Sequence, residues 1–168
     1  DAEQRKSHLE RAAELCRTAQ ASGDDRAPVH VVWAMINFAS GRYDGAVSEA
    51  ERATTLDPLF ARGWQELGLA KLDRQLRSPR RDHQEIDAAE EALKKAVAIA
   101  PDDWWGRHLL GRLYLSTSRW KEGADEYERA YALAQDSVRV LNNLASAYFN
   151  LDQLDKARGL YQQSLSVE

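Results

Sequence analysis

A pattern of residues returns along this chain at a nearly constant interval, and this repetition constrains the fold more than any single motif. One column of small residues contains Ala12, Ala46, Ala89, Gly123 and Ala157, separated by 34, 43, 34 and 34 residues. Two further columns share these spacings: Ala19, Ala53, Ala96, Ala130 and Ser164, and Leu9, Tyr43, Ile86, Trp120 and Leu154. Periods of roughly 20 to 50 residues are the signature of stacked repeats. The chain is therefore predicted to be built from short repeated units.

Each repeated unit is predicted to contain two helices. The segment DAAEEALKKAVAIAP has apolar residues at helical spacing and ends at Pro101. A large apolar residue is followed by a small one in the preceding segment of each unit, as in Leu67–Gly68 and Leu110–Gly111, which lets two helices approach closely. Nine Gly and four Pro are few for 168 residues, which favours long helices over strands. A capping box, Ser7 to Glu10, is predicted to begin the first helix.

These residues resemble the tetratricopeptide repeat family. WQELGLAKL carries Trp64, Leu67 and Gly68 at family positions, LLGRLY carries Leu110, Gly111 and Tyr114, and LDP and IAP supply the closing prolines. The resemblance implies an all-α, right-handed solenoid of antiparallel helix pairs, forming one domain with nine helices. We place four repeats at 27–60, 61–103, 104–137 and 138–168, preceded by residues 1–26 as the second helix of an earlier repeat.

The second repeat is nine residues longer than the others, and the extra residues lie between Lys71 and Ile86. Arginines 74, 77, 80 and 81 make this segment the most basic part of the chain. We expect the 73–85 insertion to be an elongated, solvated turn that folding does not require, because charge runs usually face water. A contact site for an acidic partner is the alternative.

Nothing in the sequence predicts catalysis. Cys16 falls in a column of bulky residues with Leu93, Tyr127 and Tyr161, and is expected to be a buried core thiol. The four histidines show no paired helical spacing and no cysteine cluster, so no metal site is expected. There is no glycine-rich phosphate loop, so no cofactor is expected either. We therefore predict a protein that is not an enzyme, and the net charge of -4 disfavours nucleic acid as a partner.

In the family, the first helices of the repeats line a concave face that contacts ligands. Carried over by repeat position, the resemblance implies a peptide-binding face that contains Met35, Phe38, Gln65, Leu69, Trp105, His108, Arg112, Asn142, Asn143 and Ser146. Some members grip a C-terminal carboxylate with lysine and asparagine, but Val31 and Met35 stand at those positions here. One of the adjacent tryptophans, Trp104 or Trp105, is a candidate for surface recognition.

The predicted function is a protein-interaction scaffold that binds a peptide segment of a partner. The alternative is the regulatory or sensory region of a larger signalling enzyme, since the insertion and the phrase LNNLASAYFNLDQLDKA also resemble repeat arrays of bacterial signalling proteins. An RNA-reading repeat is disfavoured by the net acidity and the 34-residue spacing.

Three further expectations concern the context of the chain. It begins at Asp1 without methionine, so we expect a segment of a larger protein. A single cysteine and the lack of a long apolar run favour the cytoplasm and predict no membrane span. No cap follows the last helix, so Leu154, Tyr161 and Leu165 are expected to remain partly open for self-association or for packing of another segment.

Overall fold

The computed structural model describes residues 2–167, and within that range the chain forms nine α-helices and no strand. The helices are α1 (Ala2–Ala21), α2 (Ala27–Ala39), α3 (Tyr43–Leu56), α4 (Ala61–Arg77), α5 (His83–Ile99), α6 (Trp104–Ser116), α7 (Trp120–Leu133), α8 (Val138–Asn150) and α9 (Leu154–Val167). The all-α fold class predicted from the repeat pattern is confirmed.

The chain divides into two compact units, which we call unit 1 (Asp1–Ile99) and unit 2 (Ala100–Glu168). In unit 1, α2 pairs with α3 and α4 pairs with α5, while α1 packs on α2. In unit 2, α6 pairs with α7 and α8 pairs with α9. We call α2, α4, α6 and α8 the first helices and α3, α5, α7 and α9 the second helices. The repeat boundaries given above stay a prediction.

Small residues let the two helices of a pair approach closely. A Cβ atom on Gly68 of α4 would lie 2.5 Å from Leu93 Cγ of α5, and one on Gly111 of α6 would lie 2.9 Å from Tyr127 Cδ2 of α7. Leu93 and Tyr127 are fully buried. The bulky residue of each second helix therefore occupies the space that the missing side chain leaves, as the paired columns of the sequence predicted.

The first helix packs through the apolar residues that the repeat columns identified. Leu9, Ala12, Ala13 and Cys16 of α1 contact Ile36 and its neighbours on α2. Cys16 is buried, as predicted, and burial, with a smaller contribution from Glu49, raises the pKa of its thiol. The helix is already continuous from Ala2, so Ser7 lies in its interior and the predicted capping box is wrong. The sequence contained a local capping signal that the helix does not use.

Three short turns inside the helix pairs share one backbone conformation. Their central residues, Gly41, Ser118 and Asp152, have φ values of 74°, 61° and 59°. In each turn the next residue donates a backbone hydrogen bond to a carbonyl five positions earlier, at 2.9, 2.8 and 2.9 Å respectively. This is a left-handed helix ending, which satisfies carbonyl groups that the helix leaves unpaired.

The 73–85 insertion is not the elongated turn that the sequence predicted. Helix α4 has 17 residues where α2 and α6 have 13, and α5 has 17 where α3 and α7 have 14. Only residues 78–82 connect α4 with α5. Most of the insertion therefore lengthens both helices of the pair.

Ion pairs explain why the longer helices are favoured. Arg74 contacts Glu85 at 2.5 Å and Asp44 of α3 at 3.1 Å, and Lys71 contacts Glu51 at 3.2 Å. The Arg77 guanidinium lies 5.1 Å from the centre of the Tyr43 ring. The charge run thus packs on α3 and α5, and only part of it faces water. The pattern of charges alone could not reveal these partners, which lie 11 to 34 residues away along the chain.

Candidate binding faces

A stack of aromatic rings in unit 2 brings together Trp105 and His108, which the sequence predicted for the binding face. The Trp105 and His108 rings of α6 lie parallel, with centroids 4.9 Å apart, and the Arg139 guanidinium of α8 lies 5.2 Å from the Trp105 ring. Trp104 meets both rings edge-on, at 5.5 and 5.9 Å. Both tryptophans are half-buried. The indole of Trp105 is therefore held inside a stack, and neither tryptophan extends freely into water.

His108 supports this stack from below. The residue is buried, its ring also contacts Tyr127 at 5.4 Å, and its Nδ1 atom has no hydrogen-bond partner among the described residues. Burial, with smaller contributions from the Arg139 and Arg112 charges, lowers the pKa of His108 to about 4. The ring is thus neutral near pH 7, because the two arginines and the apolar surroundings both disfavour an imidazolium.

The accessible part of the predicted binding face in unit 2 is a row of residues along α8. Asn142 is exposed, Asn143 and Ser146 are half-buried, and Arg139 and Phe149 extend the row toward the two ends of the helix. Phe149 leaves 62% of its surface exposed. We call Arg139, Asn142, Ser146 and Phe149 the α8 stripe, since residues three, four and seven apart share one side of a helix. Arg112 of α6 is half-buried, and its charge acts on both His108 and Tyr127.

Sequence reasoning missed Arg139 and Phe149. Both follow the spacing of Asn142 and Ser146, so the helical period could have identified them. Phe149 was missed because an aromatic residue beside a repeat turn is ordinarily read as core.

The predicted residues of unit 1 are mostly covered. Met35 of α2 is exposed and Phe38 is half-buried against Tyr43, whereas Gln65 and Leu69 of α4 are buried. Arg62 lies over this region, 2.9 Å from Glu66, 3.4 Å from Gln65 Oε1 and 3.9 Å from Met35 Sδ. Glu66 is buried, and burial raises the pKa of its carboxyl although Arg62 opposes the shift. In this unit Met35 and Phe38 are the predicted residues that a ligand can reach directly.

The last helix is open where the sequence predicted. Leu154, Tyr161 and Leu165 of α9 are all exposed, Leu165 by 74%. Self-association through these residues stays a prediction.

Two kinds of site have no support in the part of the chain that the structure describes. No three His, Cys, Asp or Glu side chains among these residues are grouped so that they could hold a metal ion. None of the helices formed by residues 2–167 is long and apolar enough to cross a membrane.

Known sequences resemble part of this chain. Residues 108–166 match the sequence profile of the family described as Tetratricopeptide repeat. The BBSome complex member BBS4 of Xenopus tropicalis is 30% identical over 81 residues, which are 48% of this chain and 16% of that protein. The matched part of this chain thus spans less than a fifth of its curated relative.

Solved structures share the fold over almost the full length. TTC0263, a thermophilic tetratricopeptide protein of Thermus thermophilus, has a TM-score of 0.85 at 18% identity, covering 97% of this chain and 84% of its own. MamA has a TM-score of 0.75 at 18% identity, and the match covers 99% of this chain and 92% of the MamA chain. A chain in the structure of the APC/C hetero-tetramer Cut9-Hcn1 has a TM-score of 0.81 at 16% identity. The match covers 95% of this chain and 29% of that one. Residues 108–166 therefore resemble the tetratricopeptide repeat family, and the solved structures show that this chain shares their helical fold.

Proposed function

We propose that this chain is a protein-interaction scaffold, and that the first-helix face of unit 2 binds a peptide segment of a partner protein. The observation that carries the proposal is the α8 stripe, which combines a cation, two hydrogen-bonding side chains and an exposed aromatic ring on one side of a helix. Aromatic and arginine side chains are the usual anchors of protein interfaces, and an exposed aromatic ring offers a large apolar contact.

The stack beneath the stripe makes this face rigid. Arg139 is held over Trp105, and Trp105 is held on the buried His108. A side chain whose position is fixed before binding loses less conformational entropy when a ligand arrives. Trp105 and His108 thus position Arg139 of the stripe, Arg112 adds a second positive charge, and Asn142, Asn143 and Ser146 offer hydrogen bonds to a peptide backbone.

Unit 1 has its own smaller apolar surface at Met35 and Phe38, next to the buried Gln65 and Leu69 of the same unit's first helices. Two proteins similar to this chain are named as members of assemblies, the BBSome complex and the APC/C hetero-tetramer, which supports a scaffold role. The proposal assigns no catalytic step to any residue.

The test is selection of binding peptides from a displayed random library, followed by affinity measurements with variants. The double variant Arg139→Ala, Asn142→Ala should bind the selected peptides more weakly by about 1.5–3 kcal/mol, because a charged hydrogen bond is lost. The matched control is Arg158→Ala, Gln162→Ala on the exposed side of α9, which should bind normally. Normal binding by the first variant together with weak binding by the control would move the site to α9.

A further inference from the structure

Gly159 lies in the interior of α9, where glycine costs helix stability. The helix runs from Leu154 to Val167, and Gly159 is exposed with no unusual φ. A glycine inside a helix destabilises it by about 0.8–1 kcal/mol relative to alanine. Among the described residues, no heavy atom lies within 4 Å of a Cβ built at this position. The packing of the chain itself therefore gives no reason for this glycine.

Other helical glycines show what such a reason looks like. A Cβ on Gly68 or Gly111 would lie 2.5 or 2.9 Å from a neighbouring side chain, and one on Gly123 would overlap the end of the Leu115 side chain, so a larger residue at these positions would force a neighbour to move. In the second repeat, the position that corresponds to Gly159 holds Glu91. The repeat fold thus does not require glycine here. A partner molecule that packs closely against α9 would account for the missing side chain.

Gly159 lines a groove of about 340 Å³ between the second helices α7 and α9. Leu144 and Tyr148 of α8 and Leu160 of α9 form its apolar floor. Tyr131 of α7 also lines the groove, and its hydroxyl lies 3.1 and 3.0 Å from the side-chain oxygen and nitrogen of Gln163 on α9. Because Leu144 and Tyr148 lie on the opposite side of α8 from Asn142 and Ser146, this groove is separate from the α8 stripe.

The α7 edge of the groove is acidic. Glu128 accepts a hydrogen bond from the Tyr148 hydroxyl, and Lys156 of α9 lies 4.7 Å from the centre of the Tyr148 ring. Burial raises the pKa of Tyr148 to about 12, and the carboxylates of Glu128 and Asp125 add to the shift. The tyrosine hydroxyl therefore experiences two negative charges from α7, and the ammonium group lies on the α9 side.

We propose that the groove between α7 and α9 binds an amphipathic helix of a partner protein, with an apolar side chain against Gly159 and a basic flank along Asp125 and Glu128. Two second helices that border an apolar floor form the kind of groove in which an amphipathic helix binds. The missing side chain at position 159 lets the backbone of that helix approach α9 closely. The acidic edge fixes its orientation, because a basic flank is attracted to α7 and an acidic flank is repelled.

The experiment uses two synthetic helical peptides of about four turns, equal in their apolar stripe and differing only in a flank of lysine or of glutamate. Binding is measured by fluorescence anisotropy and by the NMR methyl signals of Leu144 and Leu160. The lysine peptide should bind and shift both signals, and the glutamate peptide should bind at least about tenfold more weakly. Failure of the lysine peptide to bind at millimolar concentration, or equal affinity for both peptides, overturns the proposal.

Variants at position 159 separate binding from folding. Gly159→Ala should raise the melting temperature, because alanine favours the helix and meets no neighbour, and it should weaken lysine-peptide binding. Gly159→Leu should weaken that binding by at least about tenfold, while the matched variant Glu91→Leu in unit 1 leaves it unchanged. Unchanged affinity in Gly159→Leu overturns the proposal. Loss of affinity in Arg139→Ala, Asn142→Ala would place the peptide on the α8 stripe, which would overturn this site and leave the proposed function standing.

Discussion

His30 in unit 1 and His108 in unit 2 are buried equally, each 3% exposed, but their surroundings differ, because two carboxylates and the Arg52 guanidinium, 3.2 Å from its Nε2, surround His30. His30 Nδ1 lies 2.7 Å from Glu49 Oε2, and its Nε2 lies 2.8 Å from Asp25 Oδ1. His108 lies among aromatic rings and is influenced by two arginines. The charged and aromatic neighbours of a buried histidine, and not its degree of burial, therefore determine its role in the fold.

The repeat register shows what His30 replaces. The position that corresponds to His30 in the third repeat is Arg107, and Glu49 corresponds to Glu126. Arg107 lies 3.3 Å from Glu126 and donates a hydrogen bond to the Pro101 carbonyl at 3.2 Å. Both units thus join a basic side chain of a first helix to a glutamate of the paired second helix. In unit 1 the imidazole contacts a second carboxylate, Asp25, where the guanidinium of unit 2 contacts a backbone carbonyl.

The largest expected effect concerns the pH dependence that His108 gives to stability. Its pKa is about 4 in the folded chain against 6.5 for an unperturbed histidine, so the ring is neutral in both states at pH 7. As the pH falls from 6.5 toward 4, the unfolded chain takes up a proton that the folded chain excludes. Folding should therefore lose up to about 3 kcal/mol at pH 4 through this residue.

Urea unfolding of the wild type and of His108→Leu at pH 7 and pH 4 measures this loss. The variant should lose less stability on acidification than the wild type, because its side chain cannot take up a proton. The exposed His8 of α1, changed to leucine, is the control and should retain the wild-type pH dependence. An equal loss in wild type and His108→Leu would show that the ring is not kept neutral by its surroundings.

The second expected effect tests the carboxylates around His30. The variant His30→Leu would leave Glu49 without its ring nitrogen, while Asp25 would keep Arg52, and should lower the free energy of unfolding by about 2 kcal/mol. His30→Arg should restore most of that loss, because Arg107 joins the equivalent glutamate in unit 2. Chemical denaturation at pH 6 measures both changes. If His30→Arg lowers the free energy of unfolding as much as His30→Leu does, the His30–Glu49 and Arg107–Glu126 pairs do not act alike.

Sequence and structure agree best where packing repeats. The columns that contain Gly68, Gly111, Leu93 and Tyr127 identified the helix pairs, because the same close contact recurs at a fixed interval. The 73–85 insertion was misread because Arg74 and Lys71 find their partners on α3 and α5, which no local pattern specifies. Burial of Gln65, Leu69 and His108 likewise depends on neighbours outside their own helix, so position in the repeat did not reveal which face residues are accessible.

The third expected effect distinguishes the paired arginines of the insertion from the exposed ones. Arg74→Ala removes a half-buried ion pair with Glu85 and an exposed one with Asp44, and should cost about 1 kcal/mol, the upper range for such pairs. Arg80→Ala, at an exposed position between α4 and α5, should change stability by less than about 0.5 kcal/mol. Urea denaturation at low salt compares them. Equal, negligible effects on stability would show that the ion pairs of Arg74 do not stabilise the fold, as expected for the solvated turn that the charge pattern predicted.

The smallest expected effect compares the same turn in the two units. Gly41 and Ser118 occupy equivalent central positions, both with positive φ, and only glycine adopts that conformation without steric cost. Ser118→Gly should relieve a backbone strain of about 1 kcal/mol, but glycine also gains freedom in the unfolded chain, so the net gain should be about 0.5 kcal/mol.

Thr117→Gly is the matched control, because Thr117 has a φ of -106° and its hydroxyl donates to the Leu113 carbonyl at 3.0 Å. That variant should lose stability, because it adds the same freedom and removes a hydrogen bond without relieving strain. Thermal unfolding of both variants measures the difference, and a lower melting temperature for Ser118→Gly would mean that the serine is held in the left-handed conformation without strain.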